Sequence, residues 1–214
     1  MILCGPPGSG KGTHATRMVN TYRLPQLSTG DMLRAAIAKN TETGRRAKAF
    51  MDKGELVPDE VVIGIIKDRI KEMDAGWGFI LDGFPRNVAQ AKALDSMLAE
   101  SGEAVSLVVE LQVPDSVLEE RICGRWTHKA SGRSYHLKLN PPKVSTPFPL
   151  DDETGERLEQ RSDDTKETLV TRLATYHKQT APVIAHYKKI VAPVKADNSV
   201  DNVWTTIKAV MAKL

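Results

Sequence analysis

Residues 1–16 read MILCGPPGSGKGTHAT, with four glycines and two prolines around a single lysine. Residues 5–11 match the pattern G-x-x-x-x-G-K. The apolar residues on either side predict a strand over 1–4 and a helix from Lys11. Glycines let such a loop wrap with its N–H groups inward, where they and the positive helix end bind a polyphosphate. Gly12 follows Lys11, and the expected hydroxyl comes one place later at Thr13. We predict a phosphate-binding loop; the alternative is a tight turn without a ligand.

Composition favours one globular domain over residues 1–214. The chain is 41% hydrophobic and 27% charged, and its net charge of +3 is spread along the sequence, so we expect no nucleic-acid partner. Its apolar runs are too short for a membrane span, and the first residues do not resemble a secretory signal. We therefore expect a cytoplasmic or other intracellular protein in which Cys4 and Cys123 are reduced thiols.

Strand and helix patterns alternate along the chain, which predicts an α/β fold with a parallel sheet covered on both faces. The predicted strands are 1–4, 24–27, 79–81, 105–113 and 190–196. Helical spacing is found over 11–22, 28–37, 58–70, 87–98, 114–125, 169–176 and 203–214, and Ser28–Asp31 fits a capping box. Residues 126–160 are rich in proline and polar side chains and break the alternation, so they are predicted to form an inserted lobe.

Asp82 directly follows the predicted strand 79–81. In proteins with a phosphate-binding loop, a carboxylate at the end of a neighbouring strand acts on Mg²⁺, often through water. An aspartate that caps a helix is the alternative. Because the loop of residues 5–11 is also present, we favour the magnesium role.

Four motifs together resemble one family. They are GPPGSGKGT at 5–13, STGDMLR at 28–34, LDGFPR at 81–86 and RSDD at 161–164. In this order and spacing they resemble the nucleoside monophosphate kinases, and with the long inserted lobe they resemble the long-lid adenylate kinases. The resemblance implies a monomer with a P-loop NTPase-type three-layer fold and a five-stranded parallel sheet. It also implies a helical monophosphate-binding segment near 28–57 and a lid near 126–160.

The resemblance assigns residues to three roles. The residues implied at ATP are Gly8, Ser9, Gly10, Lys11, Gly12, Thr13, Arg121, Arg125, Ser134, Tyr135 and Val200. Those implied at AMP are Thr29, Arg34, Glu55, Leu56, Val57, Gly83, Phe84, Pro85, Arg86, Gln90, Arg161 and Arg172. The implied catalytic residues are Lys11, Asp82, Arg86, Arg121, Arg161 and Arg172.

Two expectations concern how these side chains are placed. Arg121 and Arg125 are four residues apart, which predicts that they share one face of a helix. By resemblance, Thr29 and Gln90 recognise the adenine of AMP, since a side-chain amide can both donate to and accept from that base. The alternative for Gln90 is an exposed residue of a surface helix.

Some long-lid relatives bind zinc in the lid through cysteines. The corresponding positions here are His128, Ser131, Asp151 and Thr154, which make a poor tetrahedral zinc site. We predict a hydrogen-bonded lid without zinc. The segment STPFPLDDETGE, residues 145–156, is longer than expected from bacterial relatives.

The implied reaction is reversible transfer of a phosphoryl group from Mg²⁺-bound ATP to AMP, which gives two ADP. A GTP:AMP phosphotransferase is the nearest alternative. A nucleotide-hydrolysing switch would need Lys11 and Asp82 but would have no use for Arg34, Arg86 and Gln90 together. An inactive scaffold is disfavoured because every expected charged position is intact.

Overall fold

A five-stranded parallel sheet forms the centre of the protein. The computed structural model describes residues 1–73 and 78–214. The strands are β1 (Ile2–Cys4), β2 (Gln26–Ser28), β3 (Ile80–Asp82), β4 (Val108–Gln112) and β7 (Val191–Lys195). The strand order is β2-β3-β1-β4-β7. The central strand β1 pairs with β3 through Ile2 and Leu81 and with β4 through Ile2 and Val108. The predicted α/β class and five-stranded parallel sheet are confirmed.

The seven predicted helical segments all contain a helix, and two further helices, over residues 42–53 and 181–186, were not predicted. The helices are α1 (Lys11–Tyr22), α2 (Thr29–Ala38), α3 (Glu42–Lys53), α4 (Asp59–Glu72), α5 (Val88–Ala99), α6 (Leu118–Cys123), α7 (Lys166–Thr175), α8 (Ala181–His186) and α9 (Val200–Met211). A short 3₁₀ turn, Asp115–Val117, precedes α6, and a π-helical turn, Tyr176–Thr180, joins α7 to α8. Ser28 caps α2 by accepting a hydrogen bond from the Asp31 N–H at 3.3 Å.

Successive residues of β1 face opposite sides of the sheet and enter two apolar cores. On one side Ile2 belongs to a core with Ile66 of α4 and Leu94 of α5. On the other side Leu3 belongs to a core with Met18 of α1 and Ile207 of α9. This period-two alternation is the sheet geometry that requires a helix layer on each face, so the fold has three layers.

One helix boundary contradicts the sequence prediction. The spacing predicted a helix over 114–125 with Arg121 and Arg125 on one face, but α6 ends at Cys123. Gly124 follows, where a Cβ would overlap the His136 ring, and Arg125 begins a strand that pairs with His136. The two arginines therefore belong to different elements, and tertiary pairing of Arg125 has overridden its helical spacing.

The proline-rich segment forms a small β unit. Strands β5 (Arg125–Thr127) and β6 (Ser134–His136) pair antiparallel. Single bridges join Thr127 to Glu159 and Leu150 to Arg157. In the part of the chain that the structure describes, no helix combines the length and the apolar character needed to cross a bilayer.

Candidate active site

The predicted phosphate-binding loop connects β1 to α1 at the carboxyl edge of the sheet. Gly8 and Gly10 have φ of 82° and 94°, a backbone region that favours glycine. The Lys11 ammonium donates hydrogen bonds to the carbonyl oxygens of Gly5 at 2.7 Å and Pro6 at 2.9 Å. The loop thus curls around the lysine side chain at the N-terminus of α1, which is the arrangement a polyphosphate site needs.

Burial lowers the pKa of Lys11 to about 8, although the nearby Asp82 carboxylate raises it. The ammonium therefore lies in a partly dehydrated site with too little negative charge to balance it. A bound polyphosphate supplies that charge and favours the protonated lysine.

This lysine predicts a pH-dependent affinity for polyphosphates. Binding needs charged Lys11, so the free protein must take up a proton once the pH exceeds about 8. We expect the dissociation constant of a polyphosphate, probed with ATP, to rise about tenfold between pH 7 and pH 9. Calorimetric titration across this range measures it. Lys11→Arg, which stays charged, should bind more weakly overall but with a flatter profile. A flat profile for the unmodified protein would contradict the prediction.

Asp82 ends β3 beside this loop. Its side chain is mostly buried and accepts a hydrogen bond from the Gln26 amide at 3.0 Å. Burial raises the pKa of Asp82, while Lys11 and Arg86 lower it. The carboxylate lines the same cavity as Lys11, and its action on Mg²⁺ stays a prediction.

The lysine and six arginines proposed for the site all line one cavity of about 750 Å³. They come from the loop and from α2, α6, β5, α7 and two connecting segments. With Lys138, the cavity has eight cationic side chains against three aspartates, an excess of five positive charges. It lies at the carboxyl ends of β1 and β3, where parallel α/β sheets bind ligands. The cavity therefore suits a highly anionic ligand.

Four of these arginines form ion pairs with three aspartates, which are Asp31, Asp163 and Asp164. Asp31 accepts from Arg34 at 2.6 Å and from Arg161 at 3.4 Å. Two further carboxylates, from the RSDD motif, hold the others. Asp164 binds Arg125 through two hydrogen bonds, and Asp163 accepts from Arg172 at 2.8 Å. Such pairs fix guanidinium positions before a ligand binds.

Of the four remaining cations, Lys138 pairs with Glu120 at 3.0 Å, and the other three have no acidic partner among residues 1–73 and 78–214. Lys11, Arg86 and Arg121 form no ion pair there. Arg86 donates through Nε to the Gly83 carbonyl at 2.8 Å, and Arg121 donates to the Ala196 carbonyl at 2.9 Å. Their charge is available for a ligand.

Arg161 is also incompletely satisfied. Burial, together with the neighbouring Arg125 and Arg34, lowers its pKa to about 9. Its buried Nε atom has no hydrogen-bond partner among the described residues. An anion in the cavity would stabilise this side chain as well as Lys11.

A second, smaller cavity shares six lining residues with the first: Gly30, Arg34, Gly54, Leu56, Arg86 and Arg172. Thr29, Glu55, Val57 and Gln90, all proposed for AMP, also line it. The predicted residues therefore form two adjoining pockets with three arginines on their common boundary.

Gln90 is 1% exposed, which overturns the alternative of an exposed surface residue. Its amide oxygen accepts from the Arg86 N–H at 2.7 Å, and its amide nitrogen donates to Asp59 at 2.8 Å. Thr29 is also buried and donates to the Gly83 carbonyl at 2.8 Å. The structure thus fixes the orientation of both side chains at the second cavity.

The other predicted residues fall in two groups. Gly8, Ser9, Gly10, Gly12, Thr13, Ser134, Tyr135, Val200, Gly83 and Pro85 line the large cavity. Phe84 lines neither cavity. It is 1% exposed and packs in the core beside β3, so its side chain supports the site rather than faces it.

The four lid positions compared with zinc ligands bond to one another. His128 contacts Ser131 at 2.7 Å, and Asp151 accepts from Thr154 at 3.0 Å. Asp151 also accepts from Arg133 at 2.6 and 2.8 Å, and that partner lowers its pKa well below the usual range. The predicted hydrogen bonding of the lid is present.

Comparison with known proteins identifies the family. The sequence profile described as adenylate kinase matches residues 3–192. The chain belongs to the adenylate kinase family. It is 52% identical to an adenylate kinase of Vanderwaltozyma polyspora over 100% of this chain and 96% of that protein. It is 51% identical to adenylate kinase 4 of Oryza sativa subsp. japonica over 99% and 87% of the two chains. It is 47% identical to an adenylate kinase of Archaeoglobus fulgidus over 100% and 98%.

Membership of the adenylate kinase family makes the chain a nucleotide phosphotransferase. Sequence reasoning missed His14 and Asp31, which line the large cavity, and the Asp163–Asp164 pair, which holds two of its arginines. Two sequence features could have indicated that these carboxylates pair with arginines: Asp31 lies three residues before Arg34, and the motif RSDD lies among the proposed arginines. Nothing local indicated that Asp59 would orient Gln90, because the two residues meet only through tertiary packing.

Proposed function

We propose that the protein transfers the terminal phosphoryl group of Mg²⁺-bound ATP to AMP, reversibly, with two ADP as products. The supporting observation is the boundary between the two cavities. Arg34, Arg86 and Arg172 line both of them, so their charge lies between the pocket at Lys11 and the pocket at Gln90. A phosphoryl group that moves from one pocket to the other passes these cations.

Such transfer needs positioning and charge neutralisation rather than a covalent enzyme intermediate. Lys11 and the loop N–H groups bind the donor phosphates. Arg34 and Arg86 hold the acceptor phosphate, while Arg121, Arg125, Arg161 and Arg172 neutralise the charge between the two nucleotides. The ion pairs of four of these arginines with aspartates keep them in place before binding and reduce reorganisation during the reaction.

Residues of the lid also line the donor side of the large cavity. Ser134, Tyr135 and Lys138 line that cavity together with the phosphate-binding loop. Excluding water there favours AMP over water as the phosphoryl acceptor.

The site suits magnesium supplied with the nucleotide. Mg²⁺ keeps several waters and is usually held by one or two carboxylates together with substrate phosphates. Asp82 is a suitable carboxylate, since it is buried beside Lys11 and lines the cavity. When bound, the ion neutralises phosphate charge during transfer. In the described parts of the chain, no three or more His, Cys, Asp or Glu side chains form a cluster that could hold a metal ion.

We assign adenine recognition on the acceptor side to Thr29 and Gln90. The Gln90 amide retains one free N–H and a second acceptor lone pair beyond its bonds to Asp59 and Arg86. Backbone of residues 55–57 lines the same pocket. The donor base is expected near Arg125, Tyr135 and Val200, with Val200 contributing mainly through its backbone.

A coupled assay tests the proposal with ATP or GTP as donor and AMP, GMP, UMP or CMP as acceptor, with and without Mg²⁺. We expect rapid ADP formation only with AMP and metal, and faster transfer from ATP than from GTP. Preference for GTP would instead identify a GTP:AMP phosphotransferase. Hydrolysis that does not depend on an acceptor would identify a nucleotide switch, and absence of all turnover would identify a scaffold.

A further inference from the structure

His14 is a buried polar residue of the large cavity with no assigned role. It lies one turn into α1, where its N–H donates to the Gly10 carbonyl at 3.1 Å. Its ring is so close to the phosphate-binding loop that a Cβ on Gly10 would lie 3.5 Å from Cδ2. The residue is 3% exposed but lines the cavity, as do Arg121 and Val200.

Neither ring nitrogen of His14 has a hydrogen-bond partner among the described residues. Nδ1 is fully shielded and left unsatisfied, whereas Nε2 is not among the shielded atoms. Burial, and then the charges of Arg17 and Arg121, lower the pKa of His14 to about 4. The imidazole is therefore neutral at physiological pH and carries a single N–H.

The surroundings of the ring select its tautomer. A buried N–H group without an acceptor is rarer, and costs more free energy, than a buried acceptor without a donor. The fully buried Nδ1 is therefore the nitrogen without a proton. The proton then lies on Nε2, the nitrogen that is less enclosed. This leaves one unpaired N–H donor beside the loop that binds the donor phosphates.

The position of this N–H group indicates which ligand atoms it contacts. Gly10 lies on the phosphate side of His14, at the end of the loop. Arg121, whose charge acts on His14, is hydrogen-bonded to the Ala196 carbonyl, and Ser199 and Val200 line the cavity close to that segment. The imidazole thus adjoins the phosphate-binding loop on one side and, through Arg121, the segment expected near the donor nucleoside.

We propose that the Nε2–H group of His14 donates a hydrogen bond to an oxygen of the donor nucleotide, on its α-phosphate or its ribose. His14 is then a binding residue for the donor and not for the acceptor. This inference rests on the proposed function, which assigns the pocket at Lys11 to the donor.

Kinetics of two variants test the proposal. His14→Leu removes the donor group, and we expect the KM for ATP to rise about tenfold while the KM for AMP changes less than about twofold. His14→Gln keeps an N–H at a similar reach and should stay within about threefold of the unmodified enzyme. His186→Leu is the control, because His186 binds Asp95 on α5 and lines neither cavity. Equal increases in both KM values, or none, overturn the proposal.

Histidine ring ¹⁵N spectra provide a readout that a purely structural role would not change. The chain has five histidines, and the signal absent from His14→Gln identifies His14. We expect the Nε2–H tautomer in the free protein, and a shift of Nε2 on adding a non-hydrolysable ATP analogue but not on adding AMP. An Nδ1–H tautomer, or a response to AMP alone, overturns the proposal.

Modified donors separate the two oxygen sources. If the partner is a ribose hydroxyl, 2′-deoxy- or 3′-deoxy-ATP should bind more weakly to the unmodified enzyme but not to His14→Leu. If the partner is an α-phosphate oxygen, ATP with sulfur in place of an oxygen on the α-phosphorus should bind more weakly to the unmodified enzyme but not to His14→Leu. If neither analogue binds differently to the unmodified enzyme and to His14→Leu, the inference about His14 is wrong. Normal ATP-to-AMP turnover would in that case still support the proposed function. Failure of the unmodified enzyme to use ATP and AMP would instead overturn the proposed function.

Discussion

Arg86→Ala is expected to slow phosphoryl transfer about a thousandfold while changing the affinity for ATP less than about twofold. Arg86 forms no ion pair with the described residues and lines both cavities, so its charge is available to the acceptor phosphate. Its backbone is held independently, since its N–H donates to Gln90 and its carbonyl accepts from Thr180 at 2.8 Å. Removing the side chain should therefore leave the loop in place.

Steady-state turnover with AMP and direct ATP titration measure the two quantities separately. Arg86→Lys should recover only part of the rate, because an ammonium cannot make the paired contacts of a guanidinium. Arg69→Ala is the matched control, since Arg69 is an exposed arginine of α4 whose acidic partner is Glu72. An equal loss of ATP affinity in Arg86→Ala would place the side chain at the donor instead.

The parts of the fold that sequence predicted are those with a local cause. The loop of residues 5–11 was predictable because its glycines, its lysine and the flanking apolar runs each constrain the backbone. The two faces of β1 follow from the alternation of Ile2 and Leu3 between the cores. Strand ends differed by up to three residues, as at β4, where the prediction began at 105 and the strand begins at Val108.

The side-chain partnerships were not predictable in the same way. Arg125 has helical spacing from Arg121, yet it forms a strand and pairs with Asp164, a residue 39 positions away. Gln90 is oriented by Asp59, 31 positions earlier in the chain. Such pairs depend on which elements pack together, and periodicity within one element carries no information about that.

Asp151→Ala is expected to destabilise the lid by about 3 kcal/mol, because it leaves a buried arginine contact and a tyrosine hydroxyl without their acceptor. Asp151 is 2% exposed and accepts two hydrogen bonds from Arg133 and one from Tyr135 at 2.9 Å. Its lowered pKa means that this stabilisation is present above about pH 4 and is lost as the pH falls further.

Hydrogen exchange locates this destabilisation. In Asp151→Ala, the lid's hydrogen-bonded backbone amides should exchange about a hundredfold faster. These are the amides of Thr127, Leu158 and Glu159. The sheet amide of Leu81 should be unchanged, since it bonds to Met1 in the core. Glu153→Ala is the matched control: Glu153 binds the same Arg133 but is largely exposed, so its loss should cost less than about 1 kcal/mol. Because Tyr135 both bonds to Asp151 and lines the large cavity, turnover in Asp151→Ala should fall along with lid protection, while Glu153→Ala retains both. Fast exchange throughout the sheet would mean that Asp151 stabilises the whole fold and not the lid alone.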